Sequence, residues 1–320
     1  MPGFTGIPPT EMELIRGLHN LRPRHRGCVA TIGAFDGVHN GHRAVLGHLL
    51  EKSAELNLPS VVILFEPLPR EFFAPSEAPP RLMSFREKFR ALEVLGIDRV
   101  LRIRFDEALR KMSAADFIQR IVVDGLGVRY IVVGDDLRFG HDRKGDFEMM
   151  KAAGLRHDYE TMHTDTLGIS GGRVSSTRVR EALLAADFAM AEDLLGQPYS
   201  ITGKVVYGDQ RGRTLNAPTA NMQLHRLRAP LSGVYVVEVS GIGPTALPAV
   251  ANVGTRPTVG DGFRANLEVH LLDFDASLYG KTITVTFREK IRDEEKFASL
   301  DELKQQIHQD IAYGHEFFKQ

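Results

Sequence analysis

Cysteine is nearly absent from this 320-residue chain: Cys28 stands alone, which excludes an intramolecular disulfide and any cysteine-rich metal site. Long apolar runs are missing as well. No window approaches the roughly 18 consecutive apolar residues of a membrane-spanning helix. The first residues, with Pro2, Gly3, Pro8, Pro9 and Glu11, lack the charged-then-apolar pattern of a secretory leader. Net charge is equally scarce. A formal charge of −1 at pH 7 gives no whole-chain field to draw nucleic acid or an anionic membrane. Local runs such as Arg22-Pro23-Arg24-His25-Arg26 read as solvated surface. No Gly-x-x-x-x-Gly-Lys-Ser/Thr loop occurs, which argues against a P-loop kinase, and internal repeats and low-complexity tracts are lacking. What remains is an ordinary globular composition, 43% hydrophobic and 25% charged, in a chain long enough for two cores. The expectation is a cytoplasmic protein, with its oligomeric state left open.

The most informative stretch is Gly33-Ala34-Phe35-Asp36-Gly37-Val38-His39-Asn40-Gly41-His42, directly after the apolar run Cys28–Ile32. Downstream, Val45, Leu46, Leu49 and Leu50 keep a helical period. The pattern predicts a strand, a tight glycine turn and a helix start. Phosphates bind at such a place, because free backbone N–H groups and the helix dipole both face the ligand. His39 and His42 would share one face of the first turn and donate to phosphate oxygens. Zinc binding by the pair is disfavoured, since no third ligand at suitable spacing is evident.

Strand candidates at Cys28–Ile32, Val61–Phe65, Val100–Ile103 and Tyr130–Val133 alternate with helix candidates near Arg43–Leu56, Phe85–Leu95 and Ala114–Val123. That alternation predicts a parallel sheet covered by helices. Further helices follow Ser175 and the cap candidate Asp187. The texture changes at Gly196-Gln197-Pro198-Tyr199, and beyond it Gly233–Val239, Leu267–Leu271 and Thr282–Phe287 read as strands punctuated by Gly and Pro. They predict an antiparallel barrel or sandwich. Ser299 with Glu302 caps a last helix, whose stripe of Leu303, Ile307 and Ile311 packs on the barrel. The division expected is residues 1–196 and residues 197–320.

Other segments carry chemistry. Gly134-Asp135-Asp136-Leu137-Arg138-Phe139-Gly140 follows a predicted strand, where parallel sheets present binding loops. In Gly172-Arg173-Val174-Ser175-Ser176-Thr177-Arg178-Val179-Arg180, hydroxyls open a helix and Arg178 completes an anion clamp. Later, Gly203-Lys204 begins a glycine-spaced loop through Gly208 to Arg213, a phosphate cradle, followed by Pro218-Thr219-Ala220-Asn221. The Thr219 hydroxyl and the Asn221 carbonyl oxygen are hard donors suited to Mg2+. Strand alternation puts Glu268 and His270 opposite Leu267, Val269 and Leu271. A solvent-facing glutamate is the ordinary reading of such a position.

Gly33–His42 resembles the Gly-x-Phe-Asp-Gly-x-His-x-Gly-His motif of nucleotidyltransferases. With Gly134–Gly140, Val174–Arg180 and Pro218–Asn221, nearly the whole chain resembles the bacterial bifunctional riboflavin kinase/FAD synthetases. Two departures stand out: Leu137 occupies a place where the family pattern suggests an aromatic, and Asn216-Ala217 replaces the usual Gly-Phe. The resemblance implies a Rossmann-like nucleotidyltransferase domain followed by an antiparallel Greek-key β-barrel with a C-terminal helix. It implies riboflavin, FMN, FAD and ATP as ligands and Mg2+ as cofactor. Its residues imply that Gly33, Phe35, Asp36, Gly37, Gly41, Ser176 and Thr177, with His39, His42 and Arg178, serve ATP in adenylyl transfer. Asp136, Asn252 and Arg292 would face flavin, Gly203, Lys204, Gly208 and Arg213 would hold phosphate, Thr219 and Asn221 would bind metal, and Glu268 would be the kinase base.

Three rival readings are weighed. A monofunctional enzyme with one degenerate module draws only on the two departures. A flavin-binding regulator without turnover would require loss of Glu268 or of the histidine pair, and both are present. A cytidylyltransferase leaves the second domain unexplained.

Overall fold

The computed structural model describes residues 11–207, 219–224, 226–257 and 263–319. Apolar runs bounded by turn residues form β1 (Glu13–Arg16), β2 (Cys28–Ile32), β3 (Ser60–Glu66), β4 (Arg99–Arg104), β5 (Val128–Gly134) and β6 (Glu160–Thr164). Between them run α1 (Asn40–Leu56), α2 (Pro69–Phe73), α3 (Phe85–Val94), α4 (Glu107–Arg110), α5 (Ala114–Phe117) and α6 (Phe147–His157). The strands make one six-stranded sheet in the order β1-β4-β3-β2-β5-β6, every pair parallel. All of β2 is buried, as a central parallel strand covered on both faces requires.

Four strands match the expected ones within their ends, while β1, β6, α2, α4 and α6 were not anticipated. The helix expected over residues 114–123 is α-helical only to Phe117 and then widens into a π-turn over Ile118–Val123. The wider turn brings Ile118, Ile121 and Val122 into the core together. Its start is capped by Ser113, whose Oγ accepts the Asp116 N–H at 3.0 Å.

Topology explains where a ligand can enter. From β2 the chain steps outward to β3 and β4, then crosses back to place β5 on the other side of β2. Such a reversal opens a crevice at the carboxyl ends of the two strands. The Gly33–His42 turn leaves β2 there, and the Gly134–Gly140 loop leaves β5 there. A short hairpin, β7 (Gly168–Ile169) with β8 (Gly172–Arg173), follows β6.

The chain forms two compact units. One holds the described residues to Pro79 together with Lys88–Val174, and the other holds Pro80–Glu87 together with the chain from Ser175 onward. The second unit contains α7 (Ser176–Leu184), α8 (Phe188–Leu195), β9 (Ser200–Val206), β10 (Ala220–Gln223), β11 (Gly233–Ser240), β12 (Leu247–Pro257), β13 (Phe263–Leu271), β14 (Thr282–Arg292) and α9 (Leu300–Phe317). Its strands close a barrel in the order β10-β13-β12-β11-β14-β9, antiparallel throughout. β11, β12 and β13 form a meander and β14 returns beside β11, which is Greek-key winding. Leu267, Val269, Ala249, Ala251, Val253, Ile283 and Val285 are buried in alternation along their strands. On the other face, Val234, Val250 and Leu272 pack with Ile311 of α9. Ser299 caps α9 by accepting the Glu302 N–H at 3.2 Å, as expected.

One buried ion pair stiffens this unit. The guanidinium of Arg226 donates to Glu87 Oε2 at 2.5 Å, to the Leu82 carbonyl at 3.1 Å and to the Tyr199 hydroxyl at 3.3 Å. Glu87 Oε1 also accepts the Thr202 N–H at 2.8 Å. Arg226→Met would leave the Glu87 charge buried without a counter-ion, an expected cost of about 3–5 kcal/mol. Urea unfolding measures it. Recovery of most of that loss in Glu87→Gln/Arg226→Met would show that the stranded charge is the cause.

Candidate active sites

In the first unit, backbone strain and one close approach shape the turn after β2. Phe35 and Val38 have φ of 47° and 43°, in the left-handed region that non-glycine residues seldom occupy, and Gly37 has φ 90°. A Cβ on Gly33 would lie 2.7 Å from the Phe35 ring, so only glycine lets that ring fold back. Phe35, Asp36 and His39 are all buried.

His39 is the N-cap of α1: its Nδ1 accepts the His42 N–H at 3.2 Å. A neutral ring accepting there carries its proton on Nε2. The His39 and His42 rings stack at 3.6 Å and 15°, and Phe35 lies 5.0 Å from His42. Gly41 permits this, since a Cβ there would press on the His39 ring at 3.2 Å. Burial, then His39, then Lys88 push the His42 imidazole well below its ordinary value of 6.5, so it is neutral at pH 7. His42 Nδ1 is buried with no hydrogen-bond partner among the described residues. An orphaned polar atom at a helix N-terminus is suited to a polar ligand.

The loop after β5 divides its acids. Asp135 accepts from the Thr166 hydroxyl and, at 2.8 Å, from Arg173, whose guanidinium also lies 3.4 Å from Asp136. Asp136 faces solvent, whereas Leu137 is buried in the first unit's core. At position 137, therefore, the side chain serves packing. Arg173 lies in the segment singled out from the sequence, but its pairing was not legible there because the two carboxylate partners lie 38 and 37 residues away. Ser176, Thr177 and Arg178 open α7 in the second unit, where Ser175 Oγ accepts the Arg178 N–H at 3.3 Å.

The barrel carries a second polar set. Asn221 on β10 stands directly opposite Glu268 on β13, which stands directly opposite Asn252 on β12. Directly paired antiparallel residues share a face. This row therefore occupies the face opposite Leu267 and Val269, as alternation anticipated. Asn266 Nδ2 donates to Glu268 Oε1 at 2.9 Å. Asn221 Oδ1 and Asn252 Oδ1 are buried without a partner among the described residues. Glu294 leans on the row by hydrogen-bonding to Asn252. Its carboxyl is raised above the ordinary range, first by burial and also by the Glu268 charge, against the lowering pull of Asn252 and Arg292. A Cβ on Gly254 would collide with the Glu294 carboxylate, so glycine leaves that carboxylate its place.

Arg292 is gripped bidentately by Asp310 of α9, at 3.0 Å and 2.8 Å, and its guanidinium lies 5.7 Å from the Phe297 ring. Gly203 approaches the neighbouring strand closely, since a Cβ there would lie 3.2 Å from the Gln223 carbonyl. Lys204 is exposed on β9 beside Gln223, and Thr219 is half-buried just before β10. Gly208, Arg213 and the Asn216-Ala217 departure lie outside the described residues. Among the described residues no group of three or more His, Cys, Asp or Glu could hold a metal ion.

Comparison with known proteins gives two family matches. Residues 21–178 match the FAD synthetase family and residues 195–318 the riboflavin kinase family. A bifunctional riboflavin kinase/FMN adenylyltransferase of Pseudomonas fluorescens is 54% identical over 301 residues, covering 94% of this chain and 96% of the relative. The Escherichia coli protein of the same description is 52% identical over 308 residues, covering 96% of this chain and 98% of the relative. A crystal structure described as a macrolide-efflux protein from Streptococcus pneumoniae is 31% identical, with a TM-score of 0.75 over 96% of this chain and 99% of that one. Among the described residues of the present chain, no helix is long and apolar enough to cross a membrane.

Proposed function

Because this chain belongs to the bifunctional riboflavin kinase/FMN adenylyltransferase family, with the FAD synthetase part first, we propose how its residues divide the two reactions. We place the functional boundary at residue 196/197, close to residue 195, where the second matched segment begins. Adenylyl transfer forms a bond from an FMN phosphate oxygen to the α-phosphorus of ATP and breaks the bond from that phosphorus to the α,β-bridging oxygen, which leaves with pyrophosphate. The attacking group is already an anion, so no base is required. The chemistry needs alignment and charge stabilisation on the leaving group. His39 and His42 supply donors at the N-terminus of α1, where the dipole favours phosphate. Gly33, Phe35, Asp36, Gly37 and Gly41 shape that cradle. Asp136 faces the flavin or the ribose, and Ser176, Thr177 and Arg178 keep their assignment to ATP on sequence grounds.

The kinase reaction differs in needing a base. The ribityl 5′-hydroxyl of riboflavin attacks the γ-phosphorus, the bond to the β-side oxygen breaks to release ADP, and the hydroxyl proton passes to Glu268. The observation that carries this reading is the row Asn221–Glu268–Asn252, with two buried amide oxygens beside the carboxylate that have no partner among the described residues. Such an oxygen on Asn221, with the Thr219 hydroxyl two residues before it, fits Mg2+, which when bound would neutralise polyphosphate charge. Asn252 and Arg292 serve the flavin side, Arg292 as oriented by Asp310. Gly203, Lys204, Gly208 and Arg213 serve phosphate. Cytoplasmic residence, with no nucleic-acid or membrane partner, completes the proposal.

The test is product chromatography after incubation with riboflavin and ATP. FMN and then FAD are expected with Mg2+, and neither after chelation. FMN formation undiminished without a divalent cation would sink the metal assignment of Thr219 and Asn221.

A further inference from the structure

On α3 a lysine stands where the helical period calls for an apolar residue. Lys88 and Leu92, one turn apart, are the buried residues of that helix, and Lys88 is only 1% exposed. A buried ammonium is costly unless a carboxylate and oriented acceptors meet its charge. Lys88 Nζ donates to the Ala34 backbone carbonyl at 2.6 Å and lies 3.9 Å from Glu66 Oε1, a carboxylate also buried. Ala34 is the second residue of the turn after β2, and Glu66 ends β3. The lysine therefore ties the turn to the neighbouring strand.

That tie falls at a sensitive point. Holding the Ala34 carbonyl holds the peptide plane that leads into Phe35, whose φ of 47° persists only where the surroundings over-determine it. The Phe35 ring is in turn 5.0 Å from His42. The ammonium also adds fixed positive charge beside the histidine pair, in a place dry enough for charge to act strongly. The titratable or charged groups acting on His42 are His39 from the turn and Lys88 from α3. Asp36 and Glu66 are the buried acids of the turn and of β3, and Glu66 is engaged by Lys88.

We propose that Lys88 is a positioning residue for adenylyl transfer, acting through the Ala34 carbonyl on the turn and through its charge on His42. The proposal rests on the His39–His42 turn being the adenylyl-transfer site. In the resting enzyme Lys88 adds to burial and to His39 in keeping His42 neutral. Once polyphosphate arrives, the same charge adds to the field that holds the departing pyrophosphate.

The sign of the electrostatic effect is definite. A positive neighbour disfavours protonated imidazole, so removing Lys88 must make His42 titrate at higher pH. The experiment uses the full chain as Lys88→Met and as Glu66→Gln/Lys88→Met, the second leaving no unpaired buried carboxylate if the first fails to fold. Three readouts are taken: FAD from supplied FMN, FMN from riboflavin, and the His42 titration by NMR of its ring nitrogens. A fall of about 10- to 100-fold in kcat for FAD formation is expected, since small misplacement at a reacting site costs on that order. FMN formation should stay within about twofold, and the His42 midpoint should move upward. Wild-type FAD formation by the folded double variant would overturn the proposal, as would an unmoved His42 midpoint in folded Lys88→Met. Should His42→Ala itself leave FAD formation intact, the site reading fails independently of Lys88.

Discussion

Glu268→Gln is expected to lower FMN formation from riboflavin by about 10²- to 10⁴-fold while the conversion of supplied FMN to FAD continues. Glutamine keeps the size of the side chain and an oxygen able to accept from Asn266 Nδ2, so the barrel loses no packing. What it lacks is a lone pair basic enough to take the 5′-hydroxyl proton. The loss should fall on kcat, because flavin and ATP contacts along the row survive. Chromatographic separation of riboflavin, FMN and FAD reads both reactions in one sample. If Glu268→Gln also stopped FAD formation from FMN, the assignment of the two reactions to separate sites would be wrong.

The second large effect is the reverse. His42→Ala should reduce FAD formation from FMN by about 10²- to 10³-fold, the range for removing one preorganised donor to developing charge, and should spare FMN formation. The imidazole is buried, neutral and stacked on His39, and its Nδ1 has no partner among the described residues. Alanine removes that donor together with the stack and leaves His39 as cap of α1, because the capping bond uses the backbone N–H of residue 42. Retained FMN formation is the control for a folded protein. Unimpaired FAD formation would remove His42 from the site.

These two residues show where sequence is informative. His42 belongs to a motif whose parts are neighbours in the chain, so strand, turn and helix start could be read together from a short stretch. Glu268 could be placed on a face by alternation, but its partners could not. Asn221 and Asn252 lie 47 and 16 residues away, and only the pairing register of β10, β13 and β12 sets the three in a row. Lys88 gave a weak local signal, a charge on the buried stripe of α3, which composition alone reads as solvated surface. Arg292 was singled out but its grip by Asp310 was opaque for the same reason: Asp310 adjoins an apolar stripe, and its bidentate partner lies on another element.

The sequence by itself determined the two architectures, the glycine turn after β2 and the chemical identity of the main groups, because periodicity, capping and glycine spacing are local properties. Tertiary structure decided which of those groups share a face, which amide oxygens are left unpartnered, and which charges are buried against one another. Those outcomes depend on register and desolvation, and both arise only when distant segments pack.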